Sequence, residues 1–147
     1  MVASAIGPAQ DALLALLQAN GTLAALSGTA GAPVLGQPVN PQPEHVWLYE
    51  ASSSERIWSQ TGTGNFELDE TLTFSIGVMV FMTDTFNVAR DRADVIAGLV
   101  EDVVKANHTL SGTVFEAHLA AKRISMVAGS SFTGVQVDTT IMATAFV

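Results

Sequence analysis

The chain has 147 residues, of which 48% are hydrophobic and 14% are charged, with a formal net charge of -8 and a mean hydropathy of +0.36. The length fits one domain, which buries about 68 to 70% of its extended surface on folding. The negative charge argues against contact with nucleic-acid phosphates, no apolar run reaches the roughly 20 residues of a membrane helix, and the absence of cysteine excludes disulfides.

The amino-terminal third predicts a helix followed by an irregular arm. MVASAIGPAQ has no positive residue and no apolar h-region, so we expect cytoplasmic synthesis without a secretory signal. Pro8 suits a first helical turn, and a leucine stripe supports a helix over Pro8 to Ala19. A short turn is expected from Thr22 to Leu26. Residues 29–43 hold four of the five prolines and predict a proline-rich arm.

Two segments that predict strands, one short and one long, follow the arm. HVWLYE, from His45 to Glu50, alternates and predicts a short strand. The next segment, from Ala51 to Gly64, is rich in serine, threonine and glycine, which predicts a long mobile loop or hairpin. From Glu70, ETLTFSIGVMVFM has the period of two expected for a half-buried strand. Its second face turns apolar at Met79 and Phe81, so we expect another element or another chain to cover that end.

A long amphipathic helix is predicted directly after this strand. Apolar residues recur at helical spacing through Arg90 to Lys105, with Ile96 and Leu99 on the apolar side. Asp84 and Thr85 offer amino-terminal caps. Residues 113–128 and 134–147 predict two further strands. The expected fold is a single α+β domain over 1–147, with a mainly antiparallel sheet of four or more strands, two helices, and the order helix, strand, strand, helix, strand, strand.

The sequence lacks the patterns of common catalytic and cofactor sites. His45, His108 and His118 do not have metal-ligand spacing. Gly62-Thr63-Gly64 lacks the lysine and the third glycine of a phosphate-binding loop, and no serine stands in a GxSxG turn. We therefore expect no enzymatic activity, no cofactor and no metal. Trp58, Met79 and Phe81 are instead the candidate contacts between subunits, because an apolar chain with few charges often needs partners.

These segments resemble the tail terminator, or head-tail joining, proteins of long-tailed bacteriophages in their order, their lengths and their residue patterns. The resemblance covers nearly the whole chain and includes ALLALLQANGTLAAL, the proline-rich arm, HVWLYE, the long strand, RDRADVIAGLVEDVV and the last strand pair. It implies an α+β protomer that forms a hexameric ring on the last ring of tail-tube protein. Such a ring stops tube growth, belongs to the tail or neck of the virion, and presents the surface that docks to a head-side connector protein.

Six acids between Glu44 and Glu70 accompany a single arginine, which gives this interval a net charge of -5. In a ring through which DNA passes without specific binding, these acids would repel phosphates from the channel wall. The candidate channel-facing residues are Glu55, Glu67, Asp69 and Glu70. Solvation of the outer rim is an equally good interpretation. Two other functions stay open: a different neck or tube subunit, and a small-molecule binding module with a pocket between helix and sheet.

Overall fold

A mixed five-stranded sheet and two long helices make up most of the chain in the computed structural model. The structure describes residues 4–36, 42–60, 66–82, 85–128 and 133–146, with the backbone alone at 55–60, 66–69, 82, 127–128, 133 and 146. In chain order the elements are α1 (Ile6–Ala19), α2 (Gly21–Ala24), a 3-10 turn (Leu26–Thr29), β1 (Val34–Leu35), β2 (Glu44–Gln60), β3 (Phe66–Met82), α3 (Phe86–Ala106), β4 (Glu116–Ala128) and β5 (Thr133–Phe146).

The strand order in the sheet is β1-β2-β3-β5-β4. The pairs β2–β3, β3–β5 and β4–β5 are antiparallel, whereas β1 is parallel to β2. The predicted α+β class is confirmed, and the predicted element order is corrected, because α2 and β1 come between the first helix and β2. β1 has only two residues, too few for a periodic signal, and Gly36 N extends its pairing by donating to Leu48 O at 2.7 Å.

Of the two alternatives predicted for Ala51 to Gly64, a loop is wrong over the first ten residues, which instead form one arm of a hairpin. β2 continues from Ala51 to Gln60 and pairs with β3 in an antiparallel ribbon, with Ser52 opposite Thr73 and Ser54 opposite Thr71. Backbone hydrogen bonds to β3 hold this ribbon, and Ser52, Ser53 and Ser54 are exposed. A strand whose side chains face solvent needs no apolar alternation, which is why composition indicated a loop. Residues 61–65 lie outside the described part.

One hydrophobic core joins α1, α3 and one face of the sheet. Leu72, Phe74, Ile76, Val78 and Val80 of β3 are all buried in it, as their alternation predicts. β5 contributes its own alternate residues from Val135 to Ala145. Met82 of β3 continues the same alternation, and its side chain lies outside the described part.

The apolar side of α3 is confirmed as core, with one correction. Ile96 is fully buried, but Leu99 is only partly buried against the core. The α3 N-cap is Thr85, whose side chain makes no capping hydrogen bond, and Asp84 lies outside the described residues. Asn20 does cap α2, because its Oδ1 accepts from Thr22 N at 3.1 Å and from Leu23 N at 3.0 Å.

Candidate functional site

The two faces of the sheet have different surroundings. α1 and α3 share a core with the even-numbered residues of β3, so both helices lie on that face. The odd-numbered residues of β3, with their register partners on β2 and β5, point the other way. We call this second side the uncovered face, since no described helix packs on it. The uncovered face and the outer edges of the sheet are the candidate contact surfaces.

Trp47 is the largest described side chain on the uncovered face, and it lies across β3. Its register partner is Gly77, and a Cβ at Gly77 would come within 2.7 Å of Trp47 Cε2. The indole thus occupies space that any other residue at position 77 would fill, which explains a glycine inside a strand. Trp47 is only 5% exposed as a result.

His45 packs edge-on against Trp47 on the same face. Their ring centroids are 6.2 Å apart and the ring planes meet at 88°. The imidazole is buried, and within the described residues neither of its nitrogens has a hydrogen-bond partner. Burial lowers the pKa of His45 below its ordinary value of 6.5, so the ring is neutral at neutral pH and carries one donor and one acceptor.

A polar bridge crosses the uncovered face from β2 to β5. Tyr49 Oη donates to Asp138 Oδ1 at 3.4 Å, and Gln136 Nε2 donates to the same oxygen at 2.8 Å. Burial and the charge of Asp138 raise the pKa of Tyr49, so the phenol keeps its proton and remains a donor. The bridge holds the ring of Tyr49 over β3.

The three predicted subunit contacts have different outcomes. Met79 and Phe81 lie on the uncovered face, as their alternation predicts, and both are half-buried. Phe81 N donates to Pro43 O at 2.7 Å, so the end of the proline-rich arm already lies beside this end of β3. The side chain of Trp58 lies outside the described part, although its backbone belongs to β2. Their role as contacts between chains stays a prediction.

Glu70 is not a channel-facing surface residue. It is fully buried on the helix-covered face, where Oε1 accepts from Ala5 N at 2.7 Å and Oε2 accepts a short hydrogen bond from Ser4 Oγ. Burial would raise the pKa of Glu70, but hydrogen bonds from Ser4, Ala5 N and Ser53 outweigh it and hold the pKa below 4.5. The carboxylate therefore binds the amino-terminal end of α1, where negative charge is favourable.

The other three candidate acids are placed only through their backbone. Glu55 belongs to β2, and Glu67 and Asp69 belong to the first part of β3. The register sets Glu55 opposite Glu70 and Asp69 opposite Arg56, so all of them lie in the β2–β3 ribbon. Their side chains lie outside the described part.

The sheet has two unlike outer edges that the sequence did not single out. β4 is an edge strand along its whole length, and its Ile124 and Met126 are 44% and 62% exposed. β2 is flanked by β1 only at Trp47 and Leu48. Beside it lies an open cleft of about 360 Å³, lined by Ile6, Gly7, Gln10, Leu35, Gly36, Leu48, Tyr49, Glu50 and Ala51. The alternation of apolar and polar residues in the sequence predicted strands in both regions, but it did not show that these strands lie at the edges of the sheet.

Two further features, a metal-binding cluster and a membrane-spanning helix, are absent from the described residues. These residues contain no group of three or more histidine, cysteine or acidic side chains that could hold a metal ion. They also contain no helix long and apolar enough to cross a membrane.

The fold as a whole has a counterpart in a virus-like particle. No family model matches the chain, and no curated protein matches it. Among solved structures, it matches a chain from the virion of a native gene transfer agent particle, with a TM-score of 0.63 and 18% identity. The two chains share one fold. The match covers 99% of this chain and 100% of the other, so it includes both edges and the β2–β3 ribbon.

Proposed function

We propose that this chain is a structural protein of a phage-like virion, and that it forms a ring at the end of the tail tube. The observation that carries the proposal is the fold match to a virion chain over 99% of the length. The predicted role is tail terminator: the ring caps the tube, stops its growth, and presents a docking surface to a head-side connector protein. We propose no enzymatic activity and no cofactor for it.

The two unlike edges of the sheet support assembly from identical copies. An exposed edge strand is a template for pairing with another chain, and long uncovered edges are rare in proteins that act alone. When two different surfaces of identical copies bind each other, every copy contacts the next one head to tail. Such contacts close into a ring if the rotation between neighbouring copies is a whole fraction of a full turn. A hexamer is the expected size.

The charge of the chain fits a DNA conduit better than a DNA-binding protein. Its net charge of -8 is repeated in every copy, so a ring repels phosphates. Glu55, Glu67 and Asp69 remain the proposed channel-facing acids, whereas Glu70 is withdrawn because it is buried. DNA would then pass through the ring without specific binding.

The test is to add the purified chain to tail-tube protein during tube growth and to view the products by electron microscopy. We expect rings at tube ends only, and tubes whose length no longer increases once they are capped. Bovine serum albumin at the same concentration is the control. Incorporation along the tube would indicate another tube subunit. A monomer that leaves the tubes unchanged and holds a small molecule would indicate a binding module, and either result contradicts the proposed function.

A further inference from the structure

The outer edge of β4 and the outer edge of β2 have complementary charges on the uncovered face. Arg123 is the register partner of Asp138 and Glu50 is the register partner of Ser75, so both lie on this face. Both side chains are exposed, and neither forms an ion pair or a hydrogen bond within the part of the chain that the structure describes. The β4 edge thus presents an unpaired positive charge at Arg123, with the unpaired Glu116 at its other end, and the β2 edge presents an unpaired negative charge at Glu50.

The same two edges are complementary on the helix-covered side. Ile124 and Met126 are register partners of Val137 and Val135, which are core residues, so they point to the helix side while remaining exposed. On β2, the cleft of about 360 Å³ opens beside Leu48 and Ala51, and Ile6 of α1 and Leu35 of β1 form part of its wall. An edge with protruding apolar side chains therefore has a recess on the opposite edge whose wall is partly apolar, with Gln10 and Glu50 as its polar part.

The order of the strands fixes the direction of this pairing. β4 runs antiparallel to β2 within one copy, so a second copy that joins its β2 edge to β4 with the same face outward also pairs antiparallel. With Arg123 opposite Glu50, Ile124 lies opposite Tyr49, just past the end of β1 at Leu35, where the cleft opens on the helix side. A slip of one residue would place the side chains of Arg123 and Glu50 on opposite faces.

We propose that, in the assembled ring, the outer edge of β4 in one copy pairs with β2 from Glu50 to Ser54 in the next copy. This inference rests on the proposed function, since it names the surfaces by which the ring closes. Each interface is antiparallel, brings Arg123 of one copy to Glu50 of the next, and seats Ile124 in the cleft between α1 and β1. The sheet then continues from copy to copy, with all uncovered faces on one side of the ring.

Other features of β4 restrict which strands can join it. A register shift between Leu119 and Ala121 interrupts its regular ladder, and Lys122 is held by Asp94 at 2.8 Å. Bulges and charges of this kind protect edge strands from indiscriminate pairing. A partner for this edge must supply a carboxylate beside Arg123 and space for Ile124, and the β2 edge of a second copy supplies both.

The first test introduces a charge into the proposed apolar contact. Ile124→Asp should raise the concentration needed for half-maximal assembly at least about tenfold, because the interface would bury an unpaired carboxylate. Val95→Asp is the matched control, since Val95 is also exposed, at 55%, and belongs to α3 rather than to either edge strand. Light scattering measures assembly, and circular dichroism checks folding. Equal assembly by the two variants would overturn the proposal.

The second test exchanges the charges. Arg123→Glu and Glu50→Arg should each weaken assembly by about fivefold, the upper range for an exposed ion pair, and the double variant should recover most of the loss. Lys105→Glu and Asp102→Arg, near the end of α3, are the controls with the same charge changes. A double variant that is as weak as the sum of the two single variants would contradict a direct Arg123–Glu50 contact.

The third test uses the absence of cysteine in the native chain. A variant with both Arg123→Cys and Glu50→Cys should form, on oxidation, a ladder of covalent products that extends to the closed ring. Each single-cysteine variant should give no ladder. A ladder that stops at the dimer would contradict head-to-tail pairing. If wild-type rings form but no ladder appears, the interface is wrong and the proposed function stands; if wild-type protein never assembles, the proposed function itself fails.

Discussion

The helix-covered face and the uncovered face of the sheet are stabilised in different ways. On the first, α1, α3 and four strands, β2 to β5, fill one continuous core with mainly aliphatic side chains around Phe74. On the second, a few large groups on β2 lie across β3, above all Trp47 over Gly77. The core on the helix-covered face stabilises the fold. The uncovered face leaves side chains and strand edges available for contacts with other copies of the chain. Four substitutions test this contrast.

The largest effect should come from the core of the helix-covered face. Ile96→Ala should lower the free energy of unfolding by about 2 to 5 kcal/mol, through lost burial and a residual cavity. Leu99→Ala is the matched control on the same helix, and it should cost less than about 2 kcal/mol because Leu99 is only partly buried. Urea denaturation measures both. Equal losses would show that burial does not differ between the two positions.

Gly77→Ala tests the uncovered face in the same assay. The new methyl group would meet Trp47 Cε2 at 2.7 Å, so the indole must move, at a cost of about 1 to 3 kcal/mol. Gly98→Ala in α3 is the control: nothing lies within 4 Å of its added methyl, and alanine favours a helix by about 0.5 to 1 kcal/mol. Combining Gly77→Ala with Trp47→Leu should cost less than the sum of the two. Strict additivity would mean that the indole does not constrain position 77.

Glu70→Gln should weaken the attachment of α1 to the sheet by about 1 to 3 kcal/mol at pH 7. The folded-state pKa of Glu70 lies below 4.5, so its stabilisation is fully present above that pH and is lost as the pH falls through the lowered pKa. The difference in unfolding free energy between wild type and variant should therefore shrink in acid. Glu116→Gln, at an exposed position, is the control. A difference that does not change with pH would contradict an ionised buried Glu70.

The smallest effect is expected at the exposed pair between α3 and β4. Lys122 Nζ lies 2.8 Å from Asp94 Oδ1, with 28% and 56% of their side chains exposed. Solvent screening limits such a pair to about 0.2 to 1 kcal/mol, so Asp94→Asn should change the unfolding free energy by less than that upper value. A double-mutant cycle with Lys122→Met isolates the pair. A coupling above about 2 kcal/mol would show that this edge of the sheet is far less solvated than its exposure indicates.

The parts of the fold that repeat regularly were predictable from the sequence. The period of two in β3 and the helical spacing in α3 report burial directly, because apolar residues recur wherever the chain meets the core. The extension of β2 through Ser52 to Ser54 was not predictable, because polar strands carry no such signal. β1 was not predicted, because a strand of two residues is too short to show an alternation of apolar and polar residues.

The contact surfaces were harder to predict than the core. Glu70 shares the phase of Leu72 in β3, and this alternation was the available signal that its carboxylate points towards the helices. Composition suggested a surface acid instead. Ile124 and Met126 also have the phase of core residues, yet they are exposed. Whether a helix covers the end of a strand depends on tertiary packing, and a single strand's pattern does not record it.

The most direct test of the central claim is an electron cryomicroscopy reconstruction of the assembled wild-type protein. We predict a closed ring of identical copies in which the sheet runs continuously between neighbours, with β4 of each copy beside Glu50 to Ser54 of the next. Arg123 and Glu50 should meet on the uncovered side, and Ile124 should lie in the cleft beside α1. A symmetric dimer that pairs two β4 strands, or a ring whose neighbours touch only through helices, would contradict the account.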